Sequence, residues 1–563
     1  MKMTGAQIIC ESLMRESVDV VFGDIGAMNG PLHNTIRQYP QIRYVTVNHG
    51  QDAAHAADGY ARATGKVGIC LATSGIEATN LVTGIASAFL DSSPVVAITS
   101  QVATSLLGRD AFQEVDITGV TMPITKHNYL VMEVKSLATV IKEAFYLSRT
   151  GRPGPVLVDV PRDVLIGEAK FSYPDKVDLP SYKPTLRGHP TQISKAAKLI
   201  NEAHRPVVIA GQGVNISGAC HELKKLAETG QIPVVTTLLG IGSFPETHAL
   251  SFGMLGMHGM ACANMAVDAA DLILAIGMRF DDRATGNVSL FAPNARIIHV
   301  DVDPAEISKI IPVDVPIVGD VKQVLSALNK LITASPHNDW LEQIHTWHEE
   351  HPLSVAKGAG EGLPQYVIRQ LYELTGGEAT IVTGVGQHQM WAAQYYLYDK
   401  PRNLITSGGL GSMGYSLPAA IGAKIGDPDR IVWSVDGDGG FQMTMRELST
   451  VARENLDLKI ALFNNSCLGM VRQLQEFYCD KRYIATPLSG PDFMKIAEAY
   501  GIPSLRVEHK AEVAPAIQKA MEHQGPFLIE FIINPGENVY PMVLSGMSLS
   551  QFLEGPKKEP VAP

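Results

Sequence analysis

Two hydrophobic rhythms alternate along the first third of the chain. Short, almost uninterrupted apolar runs occur at "VDVVFG" (18–23), "IRYVTV" (42–47), "VGICLA" (67–72), "PVVAITS" (94–100) and "GPVLVDVP" (154–161). Such runs, rich in Val and Ile, predict strands buried on both faces. Between them apolar residues recur at helical spacing, as Ala6, Ile9 and Leu13 do, and Thr4 with Gln7 predicts a capping box ahead of that helix. Strands alternating with helices predict βαβ units around a parallel sheet. The stretch "HGQD" (49–52) reads as the end of a strand, and "AAHAADGYARATG" after it as a helix of small residues.

The same alternation returns twice. A polar, Pro-rich stretch, "FSYPDKVDLPSYKPTLRGHPTQ" (171–192), predicts a linker. Beyond it come the helix "ISKAAKLINEA" and the strands "RPVVIAGQGV", "LILAIGM" (272–278) and "ARIIHVDVD" (295–303). A second linker is expected at 351–365. The third block has strands "ATIVTGVG" (379–386), "RIVWSVDGDG" (430–439), "KIALFNN" (459–465) and "FLIEFII" (527–533). The expectation is an α/β protein of three doubly wound parallel-sheet domains, at 1–180, 190–350 and 364–545, with a tail at 546–563.

Composition narrows the class. With 563 residues, 45% hydrophobic and 18% charged, the chain is a well-buried enzyme-sized protein. A net charge of −11 argues against nucleic acid as a ligand. The six cysteines are scattered with no CxxC pair, which suits a reducing cytoplasm and disfavours a zinc site. The N-terminus lacks a signal-peptide apolar core, and no apolar run is long enough to span a bilayer.

The most informative stretch is "VDGDGGFQMTMRELSTVARENLDLKIALFNN". A strand ends in Gly437-Asp438-Gly439 and the next ends in Asn464-Asn465, with a helix between them that Thr444 and Glu447 are expected to cap. Both strand ends open at the carboxyl edge of a parallel sheet, where ligands of such sheets bind. Glycines let backbone approach a phosphate closely. Asp438 and Asn465 offer hard oxygen ligands suited to Mg²⁺ shared with a diphosphate.

This pattern resembles the signature of thiamin diphosphate (ThDP) enzymes. Nearly the whole chain is similar to the acetolactate synthase (acetohydroxyacid synthase) catalytic-subunit family, through "AAHAADGYARATGKVGICLATSG", "DAFQEVD", "PITKHNYLV", "GMLGMHG", "RFDDRATGN", "GVGQHQMWAAQ" and "TSGGLGSMGYSLPAAIGAK". The resemblance implies pyrimidine-binding (PYR), central and diphosphate-binding (PP) domains. It implies active sites between the PYR domain of one subunit and the PP domain of another, hence a homodimer or homotetramer. Whether a regulatory subunit binds is left open. Carried over, Asp438 and Asn465 would ligate Mg²⁺ with the Cys467 carbonyl; Gly437 and Gly439 flank that ligand. Gln387 and His388 would lie near the diphosphate, and Gly411 and Met413 would hold the aminopyrimidine. In the central domain Gly211, Gly213, Thr237, Leu238, Gly256, His258, Arg279, Asp301 and Asp320 fall at FAD-contacting positions.

The sequence departs from this family first at the catalytic acid. The family reads H-E-Q-G where this chain reads His49-Gly50-Gln51-Asp52, and the family's Glu hydrogen-bonds a pyrimidine nitrogen to activate the cofactor. General acid–base groups contribute about 10²–10⁴-fold, so an uncompensated loss would be severe. Two neighbouring loops change as well. F-G-Y-P-G-G is Phe22-Gly23-Asp24-Ile25-Gly26-Ala27, and S-G-P-G-A-T-N is Ser74-Gly75-Ile76-Glu77-Ala78-Thr79-Asn80. New carboxylates therefore appear at Asp24, Asp52 and Glu77, readable as solvated or capping acids or as parts of a remodelled site, with Glu77 the first to examine.

On the substrate side, Phe112 and Gln113 stand where the family lines its channel. Arg283 stands where an Arg meets FAD or a substrate carboxylate, or else pairs with Asp281 or Asp282. Leu474 replaces the Trp that helps choose the larger acceptor. The reading is a ThDP/Mg-dependent carboligase or lyase for small 2-oxo acids or aldehydes, with atypical cofactor activation. A flavoprotein that has lost ThDP chemistry, and a non-catalytic homologue, are the alternatives.

Overall fold

Residues 2–24, 26, 29–353 and 362–555 are described in a computed structural model of the chain, and their strands build three six-stranded sheets, each parallel throughout. In the first, the order across the sheet is Arg43–Thr46, Val20–Gly23, Gly68–Ala72, Val95–Gln101, Val156–Pro161, His127–Leu130. In the second it is Ser251–Met254, Val234–Thr236, Pro206–Ala210, Leu272–Ile276, Arg296–Asp301, Val315–Val318. In the third it is Leu404–Thr406, Thr380–Thr383, Val432–Gly437, Leu458–Asn464, Phe527–Ile532, Ser504–Val507. Helices cover both faces, so the central strands are buried end to end, as their unbroken apolar runs require. Ile25, Ala27, most of the expected second linker and residues 556–563 lie outside the described residues.

Two expectations change. The Pro-rich stretch after the first sheet is irregular but pinned: Phe171, Tyr173, Leu179 and Tyr182 pack against the first domain's core. Lys126 donates to Tyr182 Oη (2.7 Å) and to three backbone carbonyls around it. The helix that follows starts at Pro190, inside the expected linker. At "HGQD" the strand ends at Thr46, and Gly50-Gln51-Asp52 form the first turn of the helix Gly50–Thr64. The cause is local: His49 Nδ1 accepts the Gln51 amide at 3.2 Å and caps the helix.

That helix couples the first and third sheets. It packs along the helix Ser416–Gly426, and both are almost wholly buried. A Cβ on Gly59 would overlap the Ala419 carbonyl, and one on Gly422 would overlap the Ala56 carbonyl, so each glycine lets the other helix's backbone in. Beside the seam, Arg62 pairs with Asp58 (3.0 Å) and Asp91 (2.5 Å), and Tyr415 donates to Asp58 (2.8 Å). Small residues thus set the closeness of the seam and a buried ionic cluster sets its register. No described helix is long and apolar enough to cross a membrane.

Candidate active site

The strands Val432–Gly437 and Leu458–Asn464 are neighbours, with Gly437 level with Phe463, so both ends open on one edge. The helix Asp438–Thr444 begins directly where the first strand stops, which puts Asp438 at its N-terminus with a carboxylate only 2% exposed. Burial pushes that carboxyl up to about 6. Asn465 Oδ1 accepts the Cys467 amide at 3.2 Å, and its Nδ2 donates to Gln387 Oε1 at 3.2 Å. Gln387 is held in turn by Gln473 (3.0 Å) and the Glu537 carbonyl (2.8 Å). The pocket so formed is lined by residues 385–388, Trp391, Met413, 437–440, Phe463, Asn465 and 467–471, with Ile533.

Its chemistry fits an Mg²⁺-diphosphate. A Cβ on Gly437 would sit 3.0 Å from His388 Nδ1, and one on Gly439 would sit 2.8 Å from Leu468 and 3.6 Å from Met413 Cε, so glycines keep the cradle open. His388 Nε2 is buried with no hydrogen-bond partner, 3.4 Å from Asp436 Oδ1, and burial drives its pKa down to about 3. Among the described residues no three His, Cys, Asp or Glu side chains converge on one point. Asp438 is therefore a lone carboxylate beside neutral oxygens, the donor set of a cation that takes its remaining ligands from phosphate and water. Gly411 has φ +73° and borders the adjoining larger cavity rather than this pocket.

Two features were invisible in the motif. Asp436, one strand position before the glycines, is buried beneath the pocket, accepts from Ser416 Oγ (2.5 Å) and the Gly437 amide (2.9 Å), and is pushed up to about 7 by burial. The run "VDGDG" was the available signal. The expected cap is a correction: Thr444 ends its helix, and its hydroxyl is buried without a partner. Glu447 instead accepts the Asn48 amide (2.8 Å) and Thr450 Oγ1 (2.6 Å), so its carboxylate serves a domain contact.

The carboxyl edge of the first sheet gathers the altered loops. Asp24 follows the strand Val20–Gly23, His49 and Gly50 follow Arg43–Thr46, and Glu77 follows Gly68–Ala72, and these three strands are adjacent. Glu77 Oε2 accepts the Gly50 amide at 3.0 Å. Asp24 is raised to about 6, first by burial and then by the Glu77 charge, and its Oδ1 is buried without a partner. Asp52 is fully buried, pairs with Arg446 Nε at 2.8 Å, and faces away from this group into the domain seam. It is neither solvated nor a cap. Burial and the Glu447 charge raise its pKa against the pull of Arg446.

Gln113 and Phe112 sit on the loop laid over Gly75. Gln113 has φ +62°, and a Cβ on Gly75 would come within 2.9 Å of its carbonyl oxygen. Phe112 is 82% exposed and Ile76 is 65% exposed. None of Asp24, Gly50, Glu77, Phe112 or Gln113 borders the Asp438 pocket or the large cavity.

That cavity, about 930 Å³, runs between the second and third sheets. Gly213, Thr237, Leu238, His258, Arg279, Asp301, Asp320, Arg283 and Leu474 line it, and it reaches Gly408–Gly411. Gly211 and Gly256 stand behind the wall; a Cβ on Gly211 would come within 2.7 Å of Met278 Cβ, and Gly256 needs its φ of +110°. Asp301 ends its strand and is raised to about 7 by burial, whereas Asp320 caps a helix through Gln323 N (3.1 Å). Burial lowers His258 to about 4. Arg283 is two-thirds exposed and only 3.8 Å from Asp282, while Asp281 pairs with Arg279 (3.5 Å), so the guanidinium of Arg283 is held by no close ion pair. The size and the mix of apolar wall and strand-end polar groups suit a dinucleotide.

Family models match all three units: the N-terminal thiamine pyrophosphate binding domain over residues 3–120, the central domain over 193–328 and the C-terminal binding domain over 384–531. The chain is 50% identical to the acetolactate synthase large subunit of Corynebacterium glutamicum, over 98% of this chain and 90% of that protein. It is 49% identical to the acetolactate synthase of Mycobacterium leprae (97% and 90%) and 46% identical to a probable acetolactate synthase large subunit of Methanocaldococcus jannaschii (99% and 96%). With its three parallel-sheet domains and these matches along its length, the chain belongs to the acetolactate synthase large-subunit family of thiamine pyrophosphate-dependent, carbon–carbon bond-forming enzymes.

Proposed function

We propose that the protein is a ThDP- and Mg²⁺-dependent carboligase or lyase for small 2-oxo acids or aldehydes, working in the cytoplasm as a homodimer or homotetramer. The domains are taken as residues 1–180, 190–350 and 364–545. The observation that carries the reading is the Asp438 pocket: a buried lone carboxylate, an amide oxygen and two glycines at adjacent strand ends, over an unpartnered His388. Asp438, Asn465 and the Cys467 carbonyl would hold Mg²⁺, and Gln387 and His388 would border the diphosphate. When bound, the thiazolium ring supplies an electron sink for carbon–carbon bond making and breaking.

The chain's own residues do the rest. Gln387, locked by Gln473 and the Glu537 carbonyl, fixes the Asn465 amide so that its oxygen stays available. Met413 forms an apolar shelf at the pocket mouth. Phe112 and Gln113, on an exposed rim, would close over the substrate of a second subunit. Arg283 would bind a substrate carboxylate through its planar fork. Among the described residues none of the first domain borders the Asp438 pocket, so a second copy would bring Gly50 and its loops to it. FAD would occupy the large cavity. Gly50 supplies no acid, so cofactor activation is atypical.

Calorimetric titration with ThDP, with Mg²⁺ and then after chelation, tests the reading, together with acetolactate formation from pyruvate. Metal-dependent ThDP binding and product are expected. Flavin absorbance without ThDP binding would favour the flavoprotein alternative instead, which the 930 Å³ cavity motivates.

A further inference from the structure

The position that lacks an acid is not empty of one. A Cβ built on Gly50 would lie 3.2 Å from Glu77 Oε2, and 2.7 Å from the Glu77 carbonyl oxygen. The carboxylate oxygens of a glutamate lie about 3–4 Å from its own Cβ, two carbon–carbon bonds and one carbon–oxygen bond away. Glu77 therefore holds its carboxylate at the radius where a residue-50 carboxylate would sit. The Gly50 amide, at the start of its helix, donates to that oxygen at 3.0 Å and fixes it there. We infer that Glu77, entering from the strand end two places across the sheet, replaces the missing acid of position 50 as the group that hydrogen-bonds the cofactor's pyrimidine nitrogen. This rests on the function proposed above.

Three further facts support the assignment. Gly50 has no side chain to compete for the space, and any larger residue would collide with the Glu77 backbone. Asp24, on the strand end between them, leaves Oδ1 buried and unpartnered, and its pKa is raised first by burial and then by the Glu77 charge. Glu77 is half-buried on an edge with exposed Ile76 and Phe112, a surface that covering by a second chain would dry. With the cofactor bound, the Glu77 carboxyl would hydrogen-bond the ring nitrogen and exchange a single proton with it reversibly. No net proton or electron is consumed. The charges facing Glu77 are Asp24 and, from the helix start, His49.

The test uses full-length protein loaded with ThDP and Mg²⁺ but no substrate. Glu77→Gln keeps size and fold, so it should bind ThDP within about threefold of wild type by calorimetry. Deuterium exchange at the thiazolium C2, read by quenched NMR, should slow by about 10²–10⁴-fold. The near-ultraviolet circular dichroism band of the cofactor's imino tautomer should fade with it. Asp24→Asn should slow exchange less than Glu77→Gln. Gly50→Glu alone should not exceed wild type, because its Cβ would press on the Glu77 carbonyl oxygen. Glu77→Gln with wild-type exchange and an unchanged band overturns the inference while leaving the proposed function standing. Wild-type protein that takes up no ThDP overturns that function, and the inference with it.

Discussion

Arg446 Nε donates to Asp52 Oδ2 at 2.8 Å, joining the first turn of one domain's helix to a turn of another domain. Asp52 is fully buried there, and Glu447, one residue on, holds the Asn48 amide. Removing the arginine strands a buried acid. For Arg446→Met we expect a loss of about 1–3 kcal/mol, below the usual cost of breaking a buried pair because Arg446 is itself 39% exposed to screening water. Asp52→Asn/Arg446→Met should recover part of the loss. Urea midpoints of the four proteins give the coupling directly.

Glu246 should contribute a loss of stability as pH rises from about 4.5 to 8. Glu246 accepts the Tyr398 amide (2.7 Å), and burial pushes it up to about 8. A raised acid keeps its proton in the folded chain after the unfolded chain has released it, so each pH step in that window favours unfolding. Glu246→Gln should flatten the slope of unfolding free energy against pH between those limits. An unchanged slope would remove Glu246 from the account.

Gly422→Ala should be far costlier than a glycine-to-alanine change elsewhere on a helix. Helix propensity alone would favour alanine by about 1 kcal/mol. Here the added methyl runs into the Ala56 carbonyl, so the helices must part, and overpacking of this kind costs about 1–3 kcal/mol. A lowered thermal midpoint would confirm the seam, and a raised one would contradict it.

Leu474 borders the large cavity beside Met470. On the proposed reading a tryptophan there would narrow the side that meets the acceptor. We expect Leu474→Trp to raise the ratio of product from a larger 2-oxo acid acceptor over pyruvate by several-fold, below the roughly 10–200-fold that one methylene can supply. Competition between the two acceptors measures it.

The apolar runs located the inner strands of the first and third sheets and all but the three-residue Val234–Thr236 of the second, because strands buried on both faces must be apolar throughout. The strand His127–Leu130 escaped notice: it lies at a sheet edge, half-exposed, and carries no such run. Ser504–Val507 escaped for the same reason. The Gly437–Gly439 and Asn465 pair was legible because ligand, turn and helix start are consecutive in sequence. Thr444 and Glu447 misled because a cap and a long-range partner can share one spacing, and Asn48 lies 399 residues away. The Gly50 deficit could be read from sequence, but its answer could not. Only the gathering of three strand ends on one sheet edge shows that the Glu77 carboxylate reaches the Gly50 amide.

The pocket around Asp438 draws its walls from the last third of the chain alone, while Glu77 stands at the edge of the first sheet. On the proposed reading every subunit thus donates one half to each of two different reaction centres. Two inert proteins, Asp438→Asn and Glu77→Gln, should then rescue each other when co-expressed. A mixed pair contains one centre carrying both lesions and one carrying neither, so up to about half of the hybrid's centres work. Dilution below the dissociation constant of the assembly should silence wild type and hybrid alike.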